Sequence, residues 1–118
     1  MVKKFFFCFD IDNTICHTKG TNYKSSKPIK SHIDCINKLY ESGHKIIIYT
    51  ARFMGRNNNK INLAKKQGYK FTYHQLQAWG LKFHELHLGK PAADFYIDDK
   101  SIDYRKNWKK KLSKYISK

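Results

Sequence analysis

The sequence contains few acidic residues and no apolar run long enough for a membrane span. Only 9 residues are Asp or Glu, against 24 that are Lys or Arg, so the formal net charge is +15. The run from Phe5 to Phe9 is far shorter than the ~20 apolar residues of a membrane helix. It also leads directly into carboxylates, unlike a signal peptide. We therefore expect a soluble, cytoplasmic protein without a membrane span.

Cysteine and histidine are too scattered to predict a metal site of the zinc-finger type. The 3 cysteines, Cys8, Cys16 and Cys35, form no C-x-x-C pair, and the 6 histidines show no finger-like spacing. We expect reduced, structural cysteines. With 118 residues and 41% hydrophobic residues, the chain can bury one core, which predicts a single domain over 1–118.

Arginine is rare among the basic residues, and this bears on the possible partners. Only Arg52, Arg56 and Arg105 are arginines among the 24 basic side chains. Because bidentate recognition of phosphates and bases favours arginine, the lysines are better explained as a solvated surface with a codon bias than as a nucleic-acid site. Nucleic acid stays open as a less favoured partner.

The stretch Phe5 to Thr14 is an apolar run that ends in two carboxylates and a hydroxyl. A continuous apolar run predicts a strand buried on both faces, as in the centre of a parallel sheet. Asp10 and Asp12 then lie at its carboxyl end, where open α/β sheets bind ligands. The alternative is that both are turn residues that follow a strand.

Later segments predict alternating helices and strands. Pro28 suits the first turn of a helix that ends at Gly43. The other predicted elements are a strand over 45–49, a helix over 58–67 closed by Gly68, an ambiguous stretch over 69–80, a strand over 83–88, a short strand over 94–98 and a basic-faced helix from Ser101 onward. The basic-faced helix packs on the core or, as the alternative, lies on a membrane surface. The pattern predicts a three-layer, Rossmann-like α/β fold with a mainly parallel sheet.

Four strand ends of this fold present polar groups to one edge of the sheet. In chain order these groups are Asp10 with Asp12 and Thr14, then Thr50, then Lys90, then Asp98 with Asp99. Several carboxylates close together repel one another, and a hard divalent cation with oxygen ligands, Mg²⁺, would relieve the repulsion. The lysine and the hydroxyl of Thr50 would then contact a transferring phosphoryl group.

These residues resemble the four motifs of the haloacid dehalogenase superfamily of phosphatases. The motifs are Asp-Ile-Asp-Asn-Thr, the strand ending in Thr50, Lys90, and Ile-Asp98-Asp99. The resemblance covers nearly the whole chain and implies a phosphatase without a cap domain. The run from Gly89 to Ser101 is similar to small phosphatases that accompany bacterial capsular polysaccharide genes, which implies a sugar phosphate or related phosphate ester as substrate.

The resemblance also implies a role for each site residue. Asp10 would attack phosphorus and form an aspartyl phosphate, while Asp12 would protonate the leaving alcohol and then activate water. Mg²⁺ would be held by Asp10, by the main-chain carbonyl of Asp12 and by the pair Asp98 and Asp99, with Asp99 favoured as the direct ligand.

The expected substrate contacts involve residues that follow the first two motifs. These residues are Asn13, Thr14, Ala51 and Arg52. Arg52 and Arg56 would bind a second anionic group of the substrate. The alternative is that they are solvated arginines of a loop.

Three other functions compete with a small-molecule phosphatase. A response-regulator receiver domain has a different motif order. A polynucleotide end phosphatase would use the basic surface, although stacking positions cannot be identified from the sequence. A non-catalytic phosphate-binding module is disfavoured by the intact set of site residues.

Overall fold

The computed structural model describes residues 3–117 and contains a three-stranded parallel sheet. The strands are β1 (Phe6–Phe9), β4 (Lys45–Thr50) and β5 (Glu85–Leu88), in the order β1-β4-β5. A separate antiparallel pair is formed by β2 (Cys16–His17) and β3 (Lys27–Pro28). Since β1, β4 and β5 run in the same direction, their carboxyl ends meet at one edge, as the sequence predicts.

The helices are placed between and after the strands of the sheet. They are α1 (Lys30–Glu41), α2 (Ile61–Ala78) and α3 (Trp108–Leu112). The α/β architecture with a mainly parallel sheet is therefore confirmed. Pro28 does not begin α1, because it pairs with Cys16 in the small sheet and the helix starts two residues later. Gly43, at φ +95°, follows the end of α1 as predicted.

Only one face of the parallel sheet is fully covered. Along β4, Ile46, Ile48 and Thr50 are each 0% exposed, whereas Ile47 and Tyr49 on the other face are half-buried. The prediction that β1 is buried on both faces is wrong, since Phe6 is 65% exposed. Phe6 and Cys8 lie next to Lys45 and Ile47 on the face that is not fully covered, and both are exposed. Within residues 3–117, β1 pairs only with β4 and forms an outer edge of the sheet.

Helix α2 continues through the glycine that was expected to end it. A Cβ on Gly68 would lie 2.2 Å from Cδ2 of Phe53, so the missing side chain leaves room for that ring. Beyond the glycine, the rings of Tyr69 and Tyr73 stack at 6.3 Å, one helical turn apart. Tyr69 and Tyr73 therefore share one face of a helix, Phe71 lies on another, and the predicted strand-like alternation over 69–73 is not a strand.

The predicted strand over 94–98 is wrong. Residues 91–107 contain no helix or strand, and Phe95 and Ile97 are 85% and 99% exposed. A strand needs a neighbour for its main-chain hydrogen bonds, and this segment has no strand partner among the described residues. The predicted helix from Ser101 is also shorter than expected, since only α3 and the following 3-10 turn Ser113–Tyr115 are helical.

Residues 3–117 contain no helix that is both long enough and apolar enough to span a membrane.

Gly68→Ala should destabilise the fold by about 1–3 kcal/mol, the usual cost of overpacking a close contact. The added methyl would displace the Phe53 ring, which packs 5.0 Å from the ring of Tyr23. Urea unfolding followed by circular dichroism measures the change. Lys66→Ala, at an exposed position of the same helix, is the matched control and should shift the midpoint little. Equal midpoints for the two variants would contradict the proposed contact.

Candidate active site

Asp10 and Asp12 lie at the carboxyl end of β1, on either side of a fully buried isoleucine. Ile11 is 0% exposed, and its carbonyl oxygen accepts hydrogen bonds from the main-chain nitrogens of Thr14 and Ile15 at 3.1 and 2.8 Å. The main-chain nitrogen of Ile11 donates to Oδ1 of Asp10 at 2.8 Å. Burial of Ile11 therefore anchors the turn that carries both carboxylates.

The carboxylate of Asp12 is held by a buried guanidinium. Nε of Arg52 lies 3.1 and 3.0 Å from Oδ1 and Oδ2 of Asp12, and Nη2 lies 2.9 Å from Oδ1. The side chain of Arg52 is 0% exposed and that of Asp12 is 20% exposed. Such a charge-assisted, two-point contact fixes the orientation of the carboxylate.

Arg52 also joins two other segments to the site, helix α2 and the loop before β3. Its Nη1 donates to Oε1 of Gln75 on α2 at 2.6 Å, and its guanidinium lies 4.8 Å from the ring centre of Tyr23. Nη2 lies 3.5 Å from Oγ of Ser26. Each guanidinium nitrogen of Arg52 thus has a partner within the protein, and its role in binding substrate stays a prediction. Arg56 is exposed and lies over the ring of Phe53.

The buried hydroxyl of Thr18 also contacts Asp12 and is itself in contact with a second buried hydroxyl, that of Ser26. Thr18 Oγ1 donates to Oδ1 of Asp12 at 2.6 Å and lies 2.7 Å from Oγ of Ser26. The main-chain nitrogen of Thr18 donates to Oδ1 of Asn13 at 3.1 Å. Sequence reasoning missed Thr18, Ser26 and Gln75. The fold of the chain brings them close to Asp12, and no sequence motif predicts this proximity.

Lys90 lies beside Asp10, as predicted. Its Nζ is 3.6 Å from Oδ2 of Asp10, and its main-chain nitrogen donates to the carbonyl oxygen of Thr50 at 3.2 Å. Burial raises the pKa of Asp10, and the Lys90 cation opposes that rise. Asp10 is thus a carboxylate with one nearby cation and looser contacts than Asp12.

The remaining residues around these carboxylates form main-chain contacts. Thr50 is 0% exposed, and its Oγ1 accepts from the main-chain nitrogen of Arg52 at 3.1 Å, which leaves the hydroxyl hydrogen for another acceptor. The carbonyl oxygen of Thr14 lies 2.7 Å from Nδ1 of His32. Ala51 precedes Arg52, and its carbonyl oxygen accepts from the main-chain nitrogen of Met54 at 3.0 Å.

Asp98 and Asp99 are not assembled with the other acidic residues. Both lie in the exposed segment after β5, and a hydrogen bond from the main-chain nitrogen of Lys100 lowers the pKa of Asp98. Within the described residues, no group of three or more His, Cys, Asp or Glu side chains could hold a metal ion. The residues assembled around Asp10 therefore do not fit a complete Mg²⁺ ligand set.

The carboxyl pKa of Asp10 should lie above its ordinary value of 3.8 in the metal-free protein. Lys90→Met should raise it further, because it removes the cation that favours the ionised form. Carbon-13 NMR titration of the carboxyl groups in the presence of a chelator measures both values. Lys82→Met, which removes a cation paired with Glu41, is the control and should leave Asp10 unchanged. An unchanged Asp10 pKa in Lys90→Met would refute the coupling.

Comparisons with known proteins add evidence for the fold only. No protein-family model and no curated protein matches the chain. The chain is similar to a crystal structure of an MCSG target from Vibrio cholerae, with a TM-score of 0.81 and 20% sequence identity over 96% of each chain. The architecture described above therefore occurs in a solved structure, while function has to be argued from the site itself.

Proposed function

We propose that this protein is a phosphomonoester hydrolase of the haloacid dehalogenase type that forms an aspartyl phosphate on Asp10. The observation that carries the proposal is the pairing of two unequal carboxylates at the end of β1. Asp10 has a cation 3.6 Å away and few other contacts, whereas Asp12 is fixed by Arg52 and Thr18. A carboxylate nucleophile beside a cation and an oriented proton carrier suit a transfer in two covalent steps.

In the first step, a carboxylate oxygen of Asp10 attacks phosphorus in line and the bond from phosphorus to the ester oxygen breaks. The ammonium group of Lys90 offsets negative charge on the phosphoryl oxygens, and the free hydroxyl hydrogen of Thr50 supplies a donor at the same sheet edge. Burial of Asp10 strengthens these electrostatic effects. The product of this step is an aspartyl phosphate and an alcohol.

Asp12 moves the proton in both steps. It donates a proton to the leaving alkoxide, and it later takes a proton from the water that hydrolyses the aspartyl phosphate. Oδ1 of Asp12 accepts from Thr18 and from two nitrogens of Arg52, whereas Oδ2 accepts only from Nε of Arg52. We assign the transferred proton to Oδ2, since that oxygen has a free lone pair.

Mg²⁺ belongs to this proposal through the family resemblance alone. A full ligand set would require the segment with Asp98 and Asp99 to lie beside the outer edge of β1, where it would form a fourth strand of the three-layer fold. That edge is unpaired within residues 3–117. No catalytic step above depends on the ion, and comparison of activity with added Mg²⁺ and with a chelator tests the requirement.

The proposed substrate is a small phosphate ester. The resemblance to phosphatases of capsular polysaccharide genes favours a sugar phosphate in the cytoplasm, and the half-buried site residues leave Asp10 accessible to such a molecule. A panel of sugar, amino-alcohol and nucleotide monophosphates would identify the preferred alcohol.

Asp10→Asn should abolish phosphate release, by about three orders of magnitude or more, because the nucleophile is lost. Asp12→Asn should slow release from an alkyl phosphate much more than release from p-nitrophenyl phosphate, whose leaving group needs no proton. Steady-state assays with both esters measure these effects. Asp34→Asn, at an exposed position of α1, is the charge-matched control and should retain wild-type rates. Undiminished turnover in Asp10→Asn would rule out this nucleophile.

A further inference from the structure

A cavity lies between the start of α1 and the segment that leads into α3. Its volume is about 450 Å³, and it is lined by His32 from α1 and by residues 104, 105 and 107–110. We call it the aromatic-basic cleft, after the aromatic and basic side chains that line it. These are His32, Tyr104, Arg105, Trp108, Lys109 and Lys110.

One wall of the aromatic-basic cleft is a supported aromatic ring. The rings of Tyr104 and Trp108 stack at 6.4 Å with an interplanar angle of 24°, and His32 meets both edge-on. Trp108 is 7% exposed and packs against Phe9, whereas Tyr104 is 36% exposed. Tyr104 therefore presents a ring to solvent on a rigid base, which is the geometry on which a nucleobase can stack.

The rim of the aromatic-basic cleft is strongly positive. Arg105, Lys109 and Lys110 line the cleft, Lys106 and Lys111 are their neighbours in the chain, and residues 104–111 contain no acidic residue. Among residues 3–117, no carboxylate forms an ion pair with any of these cations. Unpaired cations around an aromatic ring match the alternation of bases and phosphates in a single strand of nucleic acid.

The aromatic-basic cleft is also tied to the candidate active site. Nδ1 of His32 lies 2.7 Å from the carbonyl oxygen of Thr14, two residues after Asp12. Trp108 contacts Phe9, the residue before Asp10, with 5.7 Å between ring centres. A strand that lies in the cleft would therefore pass close to the carboxyl end of β1.

We propose that the aromatic-basic cleft binds single-stranded nucleic acid, with a base stacked on Tyr104 and phosphates against Arg105, Lys109 and Lys110. A membrane surface fits the same residues less well, because Trp108 and Leu112 of α3 are buried and present no apolar face to lipid. Binding in the cleft is independent of catalysis. Only the further step, presentation of a terminal phosphate to Asp10, rests on the proposed function.

The test is fluorescence anisotropy of the full chain with fluorescein-labelled oligo-dT and oligo-U. Tyr104→Ala should weaken binding about tenfold, whereas Tyr104→Phe should bind like the wild type, because it keeps the ring. Lys110→Gln should weaken binding more than Lys66→Gln, which removes the same charge at an exposed position of α2. Circular dichroism confirms that each variant is folded.

Several results would overturn this proposal. The first is an unchanged affinity for the oligonucleotides in Tyr104→Ala. The second is an equal loss of affinity in Lys110→Gln and Lys66→Gln. The third is binding to phosphatidylserine vesicles that depends on Tyr104, without binding to either oligonucleotide. The equal losses would mean that the net charge alone attracts nucleic acid. Phosphatase activity of the wild-type protein is measured in a separate assay. An inactive wild-type protein that still binds oligo-dT through Tyr104 would refute catalysis and leave the cleft assigned.

Discussion

The buried ion pair between Asp12 and Arg52 is the constraint on which the candidate site depends. A guanidinium taken out of water is stable only when a carboxylate and further acceptors surround it. Arg52 has these partners in Asp12, Gln75 and the ring of Tyr23. Since they come from the turn after β1, from α2 and from the loop before β3, one side chain fixes three segments around the carboxyl edge of the sheet.

Around this fixed point, the edge of the sheet is less constrained. Asp10 has a single cation nearby, and the segment with Asp98 and Asp99 is exposed and forms no strand. The carboxyl end of β1 therefore carries an oriented carboxylate, Asp12, and a more accessible one, Asp10. Some of the excess basic residues, Arg105, Lys109 and Lys110, cluster in the aromatic-basic cleft next to α1. The net charge alone does not indicate such a cluster.

Much of this arrangement could be predicted from the sequence, because it follows from short-range patterns. Apolar runs located β1 and β4, and parallel direction then placed Asp10 near Lys90. The prediction failed where a distant contact decides the outcome. Gly68 suggests a helix end, yet the ring of Phe53 occupies the space above it and α2 continues. The burial of Arg52 could not be inferred either, since an arginine after a strand is usually solvated.

The central claim is that Asp12 and Arg52 stabilise each other, and a double-mutant cycle tests it most directly. Unfolding free energies would be measured by urea denaturation for Asp12→Asn, Arg52→Met and the double variant. The same cycle with Arg56→Met, the exposed arginine that shares the Tyr23 ring, is the reference. We predict a coupling energy of about 1.5–3 kcal/mol for Arg52 and near zero for Arg56. Additive effects within about 0.5 kcal/mol for the Arg52 cycle would contradict the account.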